Sequence, residues 1–272
     1  MQFHMQGGIG NQLFQLSYIL DFKCNQPLEI CLHRAQAHPS ILDLGFDESK
    51  ALKRHGITFA IDCPKREKLV DLILVGLGNR VRSTRLRAIT KKVLNTNLGD
   101  DEFTDLRKRT WGYFQSRNVN PTSIEKVRSL FKFADPKNSF EVVVHFRGQD
   151  FLGNNFGVLG QDYYRRAAEV LSTRAGEVSG ARVVCLSKDL KLARGVLSDI
   201  FGPLTYANQG AAEDFADLMS AKYLVLSNST LAFWAASLNQ HCSLVVAPNP
   251  SFIAHPSLQS PDNWITCTSS FL

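Results

Sequence analysis

Val142-Val143-Val144-His145-Phe146-Arg147-Gly148-Gln149-Asp150 carries a short apolar run straight into a histidine, an arginine and an aspartate. Such a run reads as a buried strand of a parallel sheet. In open α/β sheets, ligands collect just outside the carboxyl ends of strands. Arg147 is always cationic, and its fork of donors fits a phosphate bidentately. His145 and Asp150 set two titratable groups beside it. A strand-end ion pair between Arg147 and Asp150 accounts for the same residues without any ligand.

Outward from this stretch the chain alternates. Asp135-Pro136-Lys137-Asn138-Ser139 is the best linker candidate. After it, strands are expected at Val142–His145, Arg182–Leu186, Leu204–Tyr206, Tyr223–Leu226 and Ser243–Ala247. Helices are expected at Asp162–Thr173, Asp189–Leu197, Glu213–Ser220 and Thr230–Leu238. This alternation implies a parallel, doubly wound sheet. Before the linker, a strand at Phe3–Met5 leads through Gly7-Gly8-Ile9-Gly10-Asn11 into Leu13, Leu16 and Leu20 at helical spacing. Leu28–Leu32 reads as a strand, Leu69–Leu77 is apolar, and Arg80–Leu94 reads as a helix. Ser123–Phe133 reads as a helix opened by a serine cap. The expected fold is α/β, with two Rossmann-like doubly wound domains facing a cleft. Their expected spans are residues 1–138 and 139–272.

With 272 residues, 44% hydrophobic and 21% charged, the composition is that of a globular protein. No window approaches the roughly eighteen consecutive apolar residues of a membrane span. The start lacks the basic and apolar regions of a secretory signal. The six cysteines show no metal-binding spacing, which suggests reduced, mostly buried thiols in a cytoplasmic protein. The net charge of +6 is uneven: Lys65–Lys92 holds nine Lys and Arg against two acidic residues, a local net of +7. That segment suits peripheral contact with an anionic membrane at its inner face, or a plain solvated helix face. It has no aromatic residue to stack a base, which argues against nucleic acid.

Two further stretches carry chemistry. The glycine turn Gly7–Asn11 opens a helix whose unpaired amides suit an anion. A dinucleotide fingerprint fails there, because its third glycine position is Leu13 and only Glu29 stands near the ribose-ligand distance. Ser227-Asn228-Ser229-Thr230 follows a strand and opens a helix, a ready cradle for a diphosphate. Capping alone explains one of these hydroxyls. In Glu213-Asp214, a carboxylate at the sheet edge can accept two hydrogen bonds from guanine, or simply complement its own helix dipole.

Together these stretches resemble the α-1,2-fucosyltransferase family, glycosyltransferase family 11, and more distantly the α-1,6- and protein O-fucosyltransferases. The family opens with Gly-Gly-Leu-Gly-Asn-Gln-Leu/Met-Phe-Gln, here Gly7 to Gln15. Its middle motif, His-x-Arg-Arg-Gly-Asp-Tyr, stands here as His145 to Phe151. Its third block, Glu-Asp followed by Asn-Ser-Thr-Phe-Ser-Trp-Trp-Ala, appears as Glu213-Asp214 and Asn228 to Ala235. The family's second arginine is Gly148 here, and the Ser-Asp-Asp of related enzymes is Ser187-Lys188-Asp189.

The resemblance implies the two-domain GT-B fold, with an acceptor-side first domain and a GDP-sugar-binding second one. It implies transfer of L-fucose from GDP-β-L-fucose with inversion and without a metal or other cofactor. The acceptor is expected to be a galactose-terminated oligosaccharide or lipid-linked glycan, attacked through O2. Carried over position by position, donor binding falls to Gly8, Gly10, Asn11, His145, Arg147, Ser187, Asp189, Asp214, Asn228, Ser229 and Thr230. Asn11 would meet the fucose or β-phosphate, while His145 and Asp214 hold guanosine. Arg147, Asp150 and His145 are the catalytic candidates. As a base, Asp150 suffers from its arginine neighbour, which leaves the departing phosphate or a first-domain carboxylate as substitutes. Another linkage, another GDP-sugar, a non-catalytic GDP-sugar binder and, from the glycine turn alone, a nicotinamide-dependent oxidoreductase are the competing readings.

Overall fold

A computed structural model describes residues 2–5, 7–21, 28–32, 40–61, 102–104, 109–112, 115, 118–133, 140–176, 180–207, 209–254 and 257–272. The expected elements at Leu69–Leu77 and Arg80–Leu94, the basic segment Lys65–Lys92 and the linker Asp135–Ser139 lie outside these residues. The chain divides into two units, Met1–Phe114 with Ser129–Lys132, and Gln115–Arg128 with Phe133–Leu272.

The first unit holds β1 (Gln2–Met5), α1 (Ile9–Asp21), β2 (Leu28–Leu32), α2 (Glu48–His55), β3 (Ile57–Ile61), β4 (Glu102–Thr104) and β5 (Arg109–Gly112). Its sheet runs β3-β2-β1-β5-β4, parallel except for β4, which pairs antiparallel with β5. An antiparallel edge on an otherwise parallel sheet is common. Phe3, Met5, Leu13, Leu16 and Ile30 are buried. Their spacing follows the period of two in β1 and the helical stripe in α1.

The second unit begins with α3 (Pro121–Arg128) and continues through β6 (Val142–His145), α4 (Gln161–Ala175), β7 (Ala181–Val184) and α5 (Leu190–Leu197). It ends with β8 (Leu204–Tyr206), α6 (Ala211–Ser220), β9 (Tyr223–Val225), α7 (Thr230–Leu238), β10 (Leu244–Asn249) and β11 (Ile265–Thr268). The six strands form one parallel sheet in the order β11-β10-β9-β6-β7-β8. All four residues of β6 are buried, as a central parallel strand requires. On α4, Tyr163, Tyr164, Ala167 and Leu171 face the core. Both units are thus Rossmann-like and α/β, as expected.

The boundary differs from the expected 138/139. Helix α3 belongs to the second unit because Arg128 Nη2 donates to the carbonyls of Ser237 and Leu238, each at 3.2 Å. That guanidinium caps the carboxyl end of α7. The start of α3 also differs: the cap is Asn120, whose Oδ1 accepts from the Ser123 amide at 2.9 Å. Pro121 takes the first helical position, where its missing N–H costs nothing. Strand β11 was not expected, because only Cys267 of its four residues is buried and an edge strand carries little hydrophobic signal.

Cys185, Cys242 and Cys267 are free thiols. Among the described residues, no helix is long and apolar enough to cross a membrane.

Candidate functional site

In the second unit the chain leaves β6 toward β7 and β8, then returns to the other side of β6 with β9. The strand order therefore reverses between β6 and β9. Such a switch point opens a crevice at the carboxyl ends of the strands. The segments that emerge there are His145 to Asp150 after β6 and Leu226 to Thr230 after β9, with Ser187 to Asp189 after β7 on the far side.

The first two segments meet directly. A hydrogen bond joins His145 Nδ1 and Ser227 Oγ at 2.6 Å, both groups buried. Tyr164 Oη donates to the His145 carbonyl at 3.2 Å and Tyr163 Oη to that of Leu226 at 2.6 Å. Burial, with a smaller push from Arg147, lowers the His145 imidazole to about 3. At that value the ring favours its neutral form near pH 7. As a donor contact it would act through its position.

Arg147 is half-buried, its side chain 27% exposed. Its Nε donates to Asp150 Oδ1 at 3.1 Å and Oδ2 at 3.0 Å, and its Nη2 also bonds Oδ2. The guanidinium carbon lies 5.3 Å from the centre of the Phe151 ring. Asp150 thus holds the Nε–Nη2 side of the guanidinium, and Nη1 takes no part in this grip. Asp150, a catalytic candidate, is placed here as the partner of Arg147. Both its oxygens bond the arginine, an arrangement that orients Arg147.

Asp189, a donor-binding candidate, lies against the same turn. It is 0% exposed, and its Oδ2 and Oδ1 accept the backbone N–H groups of Gly148 at 3.0 Å and Gln149 at 2.7 Å. Through these bonds it fastens the turn that carries Arg147. Ser187 and Lys188 are exposed on the 3-10 turn before α5.

Asn228 donates through Nδ2 to the carbonyls of Phe156 at 3.2 Å and Gly157 at 2.8 Å, leaving its buried Oδ1 without a hydrogen-bond partner. Its amide is thus partly structural. Ser229 occupies the N-cap of α7 but makes no capping bond with its side chain. Capping therefore does not account for this hydroxyl, which stands at the start of a helix, where backbone amides favour an anion. Asp214, in the first turn of α6, is 6% exposed with Oδ1 unpartnered. Burial, then repulsion from Asp217, pushes its carboxyl up to about 7. A buried carboxylate oxygen without a donor is the feature that a guanine edge would satisfy.

In the first unit, Gly7 adopts a left-handed φ of 79° at the turn from β1 into α1, a conformation that favours glycine. Gly8 and Gly10 follow, with Gly10 and half-buried Asn11 already inside α1. Gln12, which sequence reasoning passed over, holds this turn. Its Nε2 donates to the Gly7 carbonyl at 2.8 Å and its Oε1 accepts from the Ile41 amide at 3.0 Å. Ser227 was likewise read only as part of a polar run. Its contact with His145 spans 82 positions and leaves no local signal.

The model of glycosyl transferase family 11 matches residues 90–265 of the chain, which takes in the middle and third motifs. The comparison with curated proteins finds no match. Among solved structures the chain is similar to the E. coli heptosyltransferase WaaC with ADP, at 10% identity over 98% of this chain and 90% of that one, TM-score 0.42. It is similar to E. coli ADP-heptose LPS heptosyltransferase II at 13% identity, 98% and 89% coverage, and TM-score 0.46. A glycosyl transferase of family 9 from Veillonella parvula gives 9% identity, 98% and 85% coverage, and TM-score 0.42.

Proposed function

The chain belongs to glycosyl transferase family 11, the α-1,2-fucosyltransferase family, and from that premise we propose that it moves L-fucose from GDP-β-L-fucose to a galactose-terminated glycan, at O2 of the galactose. The observation that carries this reading is Arg147 at the switch point, gripped on one side by Asp150. Its other end suits a diphosphate.

As the bond from C1 to the β-phosphate oxygen breaks, negative charge grows on the departing GDP. Arg147 and the amides at the start of α7, with Ser229 and Thr230, meet that charge in place of a divalent cation. Asp214 accepts the guanine N1–H and N2 amino group, which selects GDP over other nucleotides. The acceptor hydroxyl attacks C1 from the opposite side and loses its proton there, with inversion. The base therefore stands on the acceptor's side of the sugar and is neither Asp150 nor His145.

The reaction is placed in the cytoplasm, with Lys65–Lys92 bringing the enzyme to an anionic membrane that carries a lipid-linked acceptor. Sedimentation with anionic liposomes, lost on adding salt, checks that part. The donor is tested by thermal shift in EDTA: GDP should stabilise the protein where ADP and UDP do not. Equal effects of the three, or none from GDP, would overturn the reading. Incubation with GDP-fucose and a galactose-terminated glycan panel, followed by linkage analysis, then identifies the product.

A further inference from the structure

We infer that Asp189 is a positioning residue for Arg147 and that Gly148 is the space this carboxylate requires. The inference rests on Arg147 as the group that meets the donor diphosphate. Asp189 stands at the end of the 3-10 turn Ser187–Asp189, after β7, with its own amide bonded to the Leu186 carbonyl at 2.8 Å. From there it reaches across 41 and 40 positions to the amides of Gly148 and Gln149. Those are the two peptide groups that follow Arg147. The same turn closes on itself through the Phe151 amide and the Gly148 carbonyl at 2.8 Å.

The arrangement leaves no room for a side chain at position 148. A Cβ there would stand 2.9 Å from Asp189 Cγ and Oδ1, and 3.0 Å from Phe146 Cε1. Such approaches force something to shift, and what stands there is a buried carboxylate and a core ring. Gly148 occupies the place of the family's second arginine. In this chain, the departure is explained by the clamp: glycine lets the backbone close onto Asp189, and one arginine remains, held at both ends. Its backbone is fixed by Asp189 and its guanidinium by Asp150. The clamp has a second consequence. The Gly148 and Gln149 amides are occupied, so these two do not serve an anion, and the turn presents the Arg147 side chain.

Two variants disturb the clamp from opposite sides. Asp189→Asn sets an NH2 group against one of two backbone N–H donors. Gly148→Ala drives a methyl into the carboxylate. The readout is the ratio of affinities for GDP and guanosine, because a displaced Arg147 weakens only the ligand that carries phosphates. We expect the preference for GDP to fall about tenfold or more in each variant, the scale of a lost hydrogen bond to a charged group, with guanosine affinity nearly unchanged. Wild-type discrimination retained in both variants overturns the inference, whatever happens to their melting temperatures. So does the unfolding of both, which would make the pair a support of the sheet alone. If the wild type binds neither ligand, the proposed donor fails first, and this result is separate from the behaviour of the variants.

Discussion

The imidazole of His145 and the hydroxyl of Ser227 stand 2.6 Å apart in the core of the second unit, one at the end of β6 and the other at the end of β9. This bond ties the two segments that flank the switch point. It also leaves the ring with a single neutral state, since burial lowers its basicity to about 3.

Ser227→Ala should therefore destabilise the second unit by about 1–3 kcal/mol, the cost of leaving a buried nitrogen unsatisfied. Urea titration measures it. A variant as stable as the wild type would show that the bond contributes nothing. The sign of the pH effect also follows. The folded His145 binds a proton far less readily than its unfolded form, whose reference value is 6.5. Its contribution to stability is complete above that pH and is lost as pH falls toward about 3.

GDP affinity should depend on Asp214. Its carboxyl titrates near 7 in the free protein, and only the ionised form can accept from guanine. Affinity should fall as pH drops below 7, approaching tenfold per unit, and level off above that region. Asp214→Asn should weaken binding and flatten the profile. Calorimetry across this range decides it, and affinity rising in acid would mean that the protonated carboxyl is the binding form.

Arg147→Lys should cost turnover two to three orders of magnitude, roughly the scale for removing an electrostatic contact to a developing anion. An ammonium cannot grip Asp150 and a diphosphate at once in the planar geometry of the fork. The melting temperature should hardly move, because the ion pair with Asp150 is partly open to solvent. Near wild-type turnover would return Arg147 to the role of a strand-end ion pair.

Asn120→Ala should lower stability by about 1 kcal/mol through loss of the α3 cap, whereas Ser123→Ala should cost less. Ser123 bonds to the cap through its amide, which the substitution keeps, and its hydroxyl bonds the same oxygen at 3.1 Å. Thermal melts of the two variants compare them, and a larger loss at Ser123 would restore it as the cap.

The sequence by itself determined the class of fold and which residues stand at its strand ends and helix starts. Val142 to Val144 reads as a buried strand because a central parallel strand is apolar on both faces. The alternation that follows then compels a doubly wound sheet. The same reading placed Arg147, Asp214 and Ser229 at strand ends and helix starts, since those positions follow from the order of elements alone. What distant partners each side chain takes was decided only by the tertiary structure. The pairing of Arg147 with Asp150, three residues apart, is legible in the sequence, whereas Asp189 is bound to amides some forty residues away. Ser227, Gln12 and Gly148 carried no local signal, because their roles are contacts between segments that only the packed sheet brings together. Hydrogen bonding and excluded volume act over a few ångströms of space, and the chain order does not record which distant residues will share them.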